Sequence, residues 1–506
     1  MAHTESPETN TMSRPVIAVG SGLAGLAAAY EALRAGAASV HMLDRAAKPG
    51  GNSIKASSGI NGAGTRFQRD KDIKNDDSAR FYDDSVRSAG TSLGGGDAAA
   101  LGKADREALI EMLTTRSAAA VDWLADEIGV DLTTVALLGG HSAARTHRGT
   151  TGPPPGAAIV GALLKKLGAD PRFTLTSSAE VVSLITRDDD RAVTGVRYKT
   201  AEDGAVHDLL GPVVFAAGGF AGDTDGLLAT HRPDLARMPS TNEARPAPHG
   251  LLTAVGAAFV DMDRVQVHPT GFVDPRDPRA RYKFLAAEAL RGEGGILLSS
   301  GEGRRFVNEM DRRDVVSDAI MNLSPAAVAA AGEDEDEGET QQYEVTLLLD
   351  PGASEAAGSH LSFYLFKGLM RKVKVRDLPP AAIEAVDRYA AAVAAGIDAD
   401  FGRTSFGHWR LPAGEENRDQ EVAVGTVTPV THFTMGGVAF DTRACVLRRG
   451  EGGLVPIKGL WAAGEITGGV HGDNRLGGSS LLECAVFGRV AGAEAAEAAK
   501  ADADAV

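Results

Sequence analysis

Three glycines and one aspartate near the N-terminus have the types and the spacing of a dinucleotide-binding turn. Gly20, Gly22 and Gly25 follow the pattern G-x-G-x-x-G, and Asp44 comes about twenty residues later. The first glycine permits a tight turn, the second lets the backbone approach a pyrophosphate, and the third lets a helix pack closely. The carboxylate of Asp44 is suited to accept hydrogen bonds from a ribose diol. These residues predict a dinucleotide ligand and leave NAD and FAD as alternatives.

The elements that must position these residues are recognisable on either side of the glycines. The apolar run Val16–Val19 precedes them, and an Ala/Leu-rich run typical of a helix follows and is broken at Gly36. A second mostly apolar run, Val40–Leu43, ends at Asp44. The order strand, turn, helix, strand predicts the first βαβ unit of a dinucleotide-binding domain, with the helix N-terminus directed at the phosphates. This context favours a bound ligand over a glycine-rich turn that binds nothing.

Length and charge limit the classes of protein and partner. The chain has 506 residues, and we expect two domains because single hydrophobic cores stop growing near ~250–300 residues. The formal net charge of −16 argues against nucleic acid or an anionic membrane as a partner. An anionic substrate therefore needs a local cluster of Arg and His.

Cysteine usage points to a reducing compartment. Cys445 and Cys484 are the only cysteines, too few for a disulfide framework, an iron–sulfur cluster or a zinc site, so we expect no metal. The first residues lack the features of a signal or transit peptide, and no apolar run approaches ~18 residues. We therefore expect a cytoplasmic protein without a membrane-spanning segment.

The glycine-rich, strand-like character of the N-terminal part returns near the C-terminus. We expect residues 1–13 to be disordered, 14–262 to form the first part of a cofactor-binding domain, and 434–506 to form its second part. Residues 263–433 differ in character and predict an inserted capping domain. The loop Pro49–Gly64, rich in glycine, serine and asparagine, is placed to wrap a long cofactor, the alternative being a flexible connection.

Seven further segments carry recognisable motifs. They are Gly50–Thr65 (GGNSIKASSGINGAGT), Leu138–Arg148 (LGGHSAARTHR), Val265–Phe272 (VQVHPTGF), Phe284–Leu298 (FLAAEALRGEGGILL), Arg304–Asp314 (RRFVNEMDRRD), His432–Val438 (HFTMGGV) and Gly464–Arg489 (GEITGGVHGDNRLGGSSLLECAVFGR). In this order they resemble the soluble fumarate reductases of the succinate dehydrogenase/fumarate reductase flavoprotein family. The resemblance covers essentially the whole chain after residue 13 and is greatest to the soluble eukaryotic type found in yeasts.

The resemblance implies a fold and a cofactor. The fold class is α/β, with a Rossmann-like FAD-binding domain that is split in sequence and an inserted α+β capping domain. The cofactor is FAD, and Val181 would contact its adenine through the backbone. The residues that the resemblance assigns to FAD are Gly20, Gly22, Ala24, Gly25, Asp44, Asn52, Ser53, Ser57, Ser58, Gly59, Val181, Glu465, Ser480 and Leu481.

The sequence also indicates how the flavin is attached, because the motif at Gly50 and Gly51 differs from that of relatives in membrane complexes. Relatives in membrane complexes bind FAD covalently through a His just after a double glycine. Here Asn52 follows Gly50 and Gly51, and no His stands at that point. We therefore expect FAD to be bound non-covalently.

The chemistry implied by the resemblance is the reduction of a C=C bond flanked by carboxylates. Both anionic ends must be anchored, a hydride must reach one face of the double bond, and a proton must reach the other. Arg475 resembles the clamp that binds one carboxylate through a planar guanidinium. His268 and His432 resemble the two substrate histidines, which donate hydrogen bonds to carboxylate oxygens.

Arg313 resembles the proton donor of the family. An Arg normally stays protonated, with a pKa above ~12, but a nascent carbanion is basic enough to take its proton if the Arg is reprotonated at once. Glu288 and Arg291, at i and i+3 on a predicted helix, resemble that relay, the alternative being a solvated ion pair. Ala287 stands where bacterial soluble relatives often have Thr, so we expect no hydroxyl contact with the substrate there.

Fumarate reduction to succinate is the activity that the resemblance implies, with a reduced flavin or another small electron donor. Two alternatives stay open: reduction of another enoate, such as urocanate or a cinnamate-like acid, and a role as the flavoprotein subunit of a larger electron-transfer complex. The two histidines and Arg475 favour a dicarboxylate substrate. The missing covalent His and the lack of iron–sulfur cysteines argue against the subunit.

Overall fold

The structure is a computed structural model, and it describes residues 14–94, 101–187, 189–202, 204–323 and 341–504. The predicted disorder of residues 1–13 lies outside the described residues. The helices are α1 Leu23–Arg34, α2 Arg66–Asp70, α3 Ser78–Ala89, α4 Lys103–Thr115, α5 Ser117–Asp122, α6 Pro155–Gly168, α7 Leu227–His231, α8 His249–Ala254, α9 Ala289–Gly292, α10 Arg313–Met321, α11 Pro351–Phe366, α12 Pro380–Ala395 and α13 Ser479–Asp504.

The strands come from all parts of the described chain. They are β1 Val16–Val19, β2 Val40–Leu43, β3 Ile60–Asn61, β4 Thr134–Ala136, β5 Thr146–Arg148, β6 Phe173–Thr176, β7 Ala179–Thr186, β8 Val193–Thr200, β9 Val206–Leu210, β10 Val213–Phe215, β11 Phe259–Val260, β12 Val265–Phe272, β13 Phe284–Leu285, β14 Ile296–Ser299, β15 Val345–Leu349, β16 Arg371–Lys374, β17 Glu421–Thr434, β18 Gly437–Val438, β19 Cys445–Gly450 and β20 Gly453–Ala462.

A six-stranded sheet in the order β19-β20-β10-β1-β2-β6 carries the predicted βαβ unit. Strands β20, β10, β1, β2 and β6 run parallel, and β19 pairs antiparallel with β20. All four residues of β1 are buried, as expected of a parallel strand covered on both faces. The predicted strand–turn–helix–strand order is confirmed, since β1, α1 and β2 follow one another at the expected residues.

A second large sheet is built from the middle of the chain. Its order is β13-β12-β17-β15-β14, with antiparallel pairing throughout, and β16 also pairs with β17. The parallel sheet, by contrast, takes strands from both ends of the chain. The predicted fold class, a split Rossmann-like domain with an inserted α+β part, is confirmed. The residue boundaries 14–262, 263–433 and 434–506 stay a prediction.

The two sheets have separate hydrophobic cores. Helix α1 lies on the parallel sheet and packs against α13, where Leu26, Leu482 and Phe487 are fully buried. A second cluster, which includes Leu290 and Val427, fills the antiparallel part. Among the described helices, none is both long enough and apolar enough to cross a bilayer.

Candidate active site

A cavity of about 940 Å³ runs between residues of the two large sheets. It is lined by the turn between β1 and α1, and also by Arg313, His432 and Arg475. This is the size class of pockets that bind cofactors and drug-sized ligands.

The turn between β1 and α1 is shaped to leave backbone exposed to a ligand. Gly20 has φ of +101°, and a Cβ there would lie 2.4 Å from the carbonyl oxygen of Ala216. Gly22 is the N-cap of α1 and makes no side-chain capping bond. The backbone N–H of Leu23 donates to the hydroxyl of Ser53 at 3.0 Å. The positive end of the helix dipole favours an anion such as a pyrophosphate, so the turn fits the cofactor that the motif predicts.

Asp44 lies at the end of β2 and lines the cavity. Its carboxylate accepts hydrogen bonds from the backbone N–H of Ser21 at 2.8 Å and from that of Ala46 at 2.7 Å, and from the hydroxyl of Ser21. These contacts hold the carboxylate beside the glycine turn. Remaining lone pairs on its two oxygens are available to a ribose diol.

The predicted cofactor residues meet in this cavity, with one exception. Gly25 does not line it, because it lies behind the turn, where a Cβ would come within 1.9 Å of the carbonyl oxygen of Gly20. Gly25 therefore serves the packing of helix on turn. The cavity is lined by Gly20, Gly22, Ala24, Asp44, Asn52, Ser53, Ser57, Ser58, Gly59, Val181, Glu465, Ser480 and Leu481.

Glu465 brings a titratable group to the cavity from the C-terminal segment. Burial raises the pKa of its carboxyl to about 7, against the opposing effect of two hydrogen bonds. Those bonds come from the backbone N–H of Thr434 at 3.0 Å and from its hydroxyl at 3.2 Å. Ser480 and Leu481 follow in the first turn of α13.

Arg313 is the first residue of α10 and is held by three hydrogen bonds. Nε and Nη2 donate to Oε2 of Glu288, at 2.8 and 2.5 Å, and Nη1 donates to Oε1 of Gln266 at 2.8 Å. Burial tends to raise the pKa of Glu288, but the charges of Arg313 and Arg291 outweigh it and lower the pKa. Glu288 is therefore a buried carboxylate, also bonded by the backbone N–H of Gly139 at 3.0 Å.

Arg475 is buried with part of its hydrogen-bonding capacity unused. Nη2 donates to the same Oε1 of Gln266 at 3.0 Å, and the guanidinium carbon lies 4.4 Å from the centre of the Phe433 ring. Within the described residues, Nε has no partner. Burial, reinforced by the charge of Arg313, lowers the pKa of Arg475 to about 9. An anion in the cavity would supply both the missing acceptor and the missing charge.

His268 and His432 come together because β12 and β17 pair antiparallel. Their ring centres are 5.2 Å apart. His432 lines the cavity, and His268 lies behind it, fully buried, with no partner for Nε2 in the described part of the chain. Burial and the nearby charge of Arg313 hold the pKa of both imidazoles well below the usual range.

Arg291 lies close to Glu288, but the two side chains form no hydrogen bond. Glu288 is the N-cap of the four-residue helix α9, and its Oε1 lies 3.8 Å from Nη2 of Arg291, beyond hydrogen-bond range. Arg291 donates instead to the carbonyl oxygen of Glu309 at 2.6 Å, and it does not line the cavity. Both side chains are only 1% exposed, so the alternative of a solvated surface pair is wrong.

Sequence reasoning missed Gln266 and Thr241. Gln266 accepts a hydrogen bond from each of the two site arginines. Its position two residues before His268 in the motif VQVHPTGF was a signal, since alternate residues of a strand share a face. Thr241 lines the cavity and bonds to His432, but it lies in a loop without a motif that we recognised.

The comparisons with known proteins identify the family. The family model described as "FAD binding domain" matches residues 15–481. The fumarate reductase of Schizosaccharomyces pombe is 40% identical over 94% of this chain and 88% of that protein, and fumarate reductase 1 of Saccharomyces cerevisiae is 40% identical over 94% and 97%.

A solved structure supports the same assignment. The open conformation of a flavocytochrome c3 fumarate reductase matches with a TM-score of 0.70 and 29% identity, covering 97% of this chain and 79% of that one. Its similarity extends over both sheets, since nearly the whole chain is matched. The chain belongs to the FAD-binding flavoprotein family that also contains the two yeast fumarate reductases.

Proposed function

We propose that this protein is an FAD-dependent fumarate reductase that converts fumarate to succinate. The observation that carries the proposal is that Arg313, Arg475 and His432 line one dinucleotide-sized cavity, with the ring of His268 5.2 Å behind that of His432 and with Nε of Arg475 and Nε2 of His268 left without partners among the described residues. Donors left without acceptors in a buried site are costly unless a ligand supplies the acceptors. A small dicarboxylate supplies them. The names of the two yeast relatives, both fumarate reductases, agree with this substrate.

The histidines and Arg475 bind and orient the substrate. Arg475 presents a charged donor to one carboxylate, and the neutral imidazoles of His268 and His432 donate to carboxylate oxygens. Because these groups are buried, they are pre-oriented and act in a site of low dielectric constant. Charge that develops on the carboxylate during reduction is stabilised by the same donors.

Arg313 holds the proton for the second carbon of the double bond. Its guanidinium lines the cavity, and its bonds to Glu288 and Gln266 restrain it there. When Arg313 gives up a proton, Glu288 is in direct contact to pass on a replacement. The charges of Arg313 and Arg291 keep the Glu288 carboxyl ionised between turnovers, so Glu288 must first take up that proton, one per turnover, from solvent.

FAD fits the glycine turn, the ribose-binding acid and the Gly-Ser loop, and it supplies the hydride when it is bound. We propose non-covalent binding, because Asn52 stands where a linking His would be and its amide donates instead to Oδ1 of Asn242 at 2.5 Å. Acid precipitation tests this point: all of the flavin is expected in the supernatant, and flavin that stays with the pellet would contradict non-covalent binding.

The electron donor is proposed to be a reduced flavin or another small carrier, and the cytoplasmic compartment stays a prediction. The activity itself is tested by an assay with reduced methyl viologen and a panel of enoates: fumarate, a methylated fumarate, urocanate and cinnamate. We expect fumarate to have the highest kcat/KM. Failure of the FAD-loaded protein to reduce fumarate would refute the proposal, and a preference for urocanate would support the alternative enoate.

A further inference from the structure

Both site histidines are neutral in their buried surroundings. The tautomer of each ring therefore decides whether it presents an N–H or a lone pair to a ligand. Burial beside Arg313 keeps the imidazoles uncharged at neutral pH. A neutral imidazole has one N–H donor and one bare nitrogen. A ring that presents N–H binds a carboxylate, whereas a ring that presents a lone pair repels it. The partner of the other ring nitrogen sets the choice.

His268 has its tautomer fixed by the backbone. Its Nδ1 accepts a hydrogen bond from the backbone N–H of Thr270 at 3.2 Å. A backbone amide only donates, so Nδ1 is bare and the ring proton is on Nε2. That N–H is fully buried and has no acceptor among the residues described.

The tautomer of His432 depends on a side chain instead. Its Nδ1 lies 2.9 Å from Oγ1 of Thr241, and a hydroxyl is able to donate or to accept. Among the described residues, no second acceptor lies within hydrogen-bond range of this hydroxyl. If Nδ1 carried the proton, the hydroxyl proton would have no partner in the protein and a lone pair would face the substrate. If the hydroxyl donates, Nδ1 is satisfied and Nε2–H faces the substrate.

The backbone holds Thr241 in register with His432. The N–H of Thr241 donates to the carbonyl oxygen of Thr431 at 3.1 Å, so the loop runs beside the end of β17. The side-chain amide of Asn242 donates to the carbonyl oxygen of His432 at 3.1 Å. The ring and the main chain of His432 are thus restrained by two consecutive residues of one segment.

We propose that Thr241 is a positioning residue that fixes His432 as its Nε2–H tautomer, so that both site histidines present N–H donors to one dicarboxylate. The inference rests on the proposed function for the identity of that ligand. The tautomer itself is a property of the free protein. Thr241 acts through His432 and has no assigned contact with the reacting atoms.

Substitution of Thr241 by Val tests the kinetic consequence. Val keeps the shape of the side chain and removes the hydroxyl, so His432 loses its preference for the Nε2–H tautomer. In part of the protein molecules Nε2 then presents a lone pair to the substrate. We expect KM for fumarate to rise at least about tenfold with kcat changed less than about threefold, and Thr241→Ser to restore KM to within about threefold of the native value. Thr115→Val, at an exposed site on α4, is the control and keeps the native KM. An unchanged KM in Thr241→Val would overturn the proposal.

Nitrogen-15 NMR of the histidine-labelled, FAD-loaded native protein tests the tautomer without any assay. The His432 signals are identified by their absence from His432→Gln. We expect a bare Nδ1 and a protonated Nε2 in the free protein, and a mixture of tautomers in Thr241→Val. A protonated Nδ1 in the native protein would overturn the proposal even if Thr241→Val did not fold.

The two proposals fail in different ways. If the native protein does not reduce fumarate, the proposed function is wrong, while the NMR result still decides the tautomer. If the native protein reduces fumarate and Thr241→Val has the native KM, only the role of Thr241 is wrong.

Discussion

At the scale of single residues, the site combines charges that burial makes expensive. Arg313, Arg475 and Glu288 are all at most 5% exposed, and Gln266 accepts a bond from each arginine. Taking such charges out of water costs several kcal/mol per ion unless they are paired and hydrogen-bonded. Glu288 compensates Arg313, but Arg475 keeps an unused donor. The residue left under-compensated is therefore the one expected to bind the substrate anion.

Replacement of Arg313 by Ala tests the proton donor. Because a positioned acid contributes about 10²–10⁴-fold, we expect kcat to fall by at least about 10³-fold while the purified protein stays yellow. Arg312→Ala is the matched control, since Arg312 is the adjacent arginine, is partly exposed and pairs with Asp314 at 2.9 Å. Steady-state rates with reduced methyl viologen provide the measurement. More than a tenth of the native rate in Arg313→Ala would show that another group donates the proton.

The lowered pKa of Arg475 predicts a loss of substrate affinity in alkali. The folded protein holds this pKa at about 9, so the guanidinium is charged below that pH and loses its charge above it. We expect kcat/KM for fumarate to fall from about pH 8 to about pH 10, with a smaller effect on kcat, because the bound dianion raises the pKa again. Recovery of activity after return to pH 8 excludes unfolding. A flat kcat/KM over this range would mean that the site keeps its charge.

At the scale of elements, the parallel sheet was predictable and the active-site pairing was not. Strands β1 and β2 are short buried runs on either side of a glycine turn, and such local patterns are visible in the sequence. His268 and His432 meet through the pairing of β12 with β17, which are separated by about 150 residues. Alternation within a strand tells which face a residue occupies, but not which distant strand lies beside it. Only the family motifs pointed to these two histidines.

The same limit explains what local spacing did not show within the site. Glu288 and Arg291 have the spacing of a helical ion pair, but α9 is only four residues long and Glu288 turns to α10. The interaction with Arg313 is long-range in sequence and outweighs the local one. Thr241 has no pattern at all, because its role depends on a loop lying beside the end of β17.

Substitution of Gly25 by Ala tests how closely α1 must approach the turn. A Cβ at this position would lie 1.9 Å from the carbonyl oxygen of Gly20, so Gly25→Ala has to displace the turn that faces the cavity. We expect the variant to be purified with less than about a tenth of the native FAD content, because displaced backbone groups no longer fit the pyrophosphate. Flavin absorbance relative to protein measures this. Gly161→Ala on α6 is the control, since nothing lies within 4 Å of the added Cβ, and it keeps its FAD. Full FAD content in Gly25→Ala would contradict the role of this glycine.

At the scale of the whole molecule, polar contacts connect the predicted capping part, residues 263–433, to the N-terminal part of the chain. Arg148 of β5 donates to Oε1 of Glu293, just after α9, and both side chains are about 10% exposed. His360 of α11 contacts the carbonyl oxygen of Ser57 at 2.7 Å, within the loop that lines the cofactor cavity. His360 and Ser57 both line the cavity, so we expect the position of the capping part to affect the retention of the flavin.

Removal of one partner of the Arg148–Glu293 pair tests this link. Arg148→Met leaves a carboxylate without its main counter-charge, a type of change that costs about 3 kcal/mol, so we expect the temperature of flavin release to fall by about 5 °C or more. The double variant Arg148→Met/Glu293→Leu removes both charges, and we expect it to regain at least half of that loss. Arg66→Met, at an exposed pair with Asp126, is the control and leaves the release temperature near the native value. Flavin fluorescence during a thermal ramp follows the release. Equal shifts in Arg148→Met and Arg66→Met would mean that the Arg148–Glu293 pair does not hold the two parts of the molecule together, and the contact of His360 with Ser57 would then be the next to test.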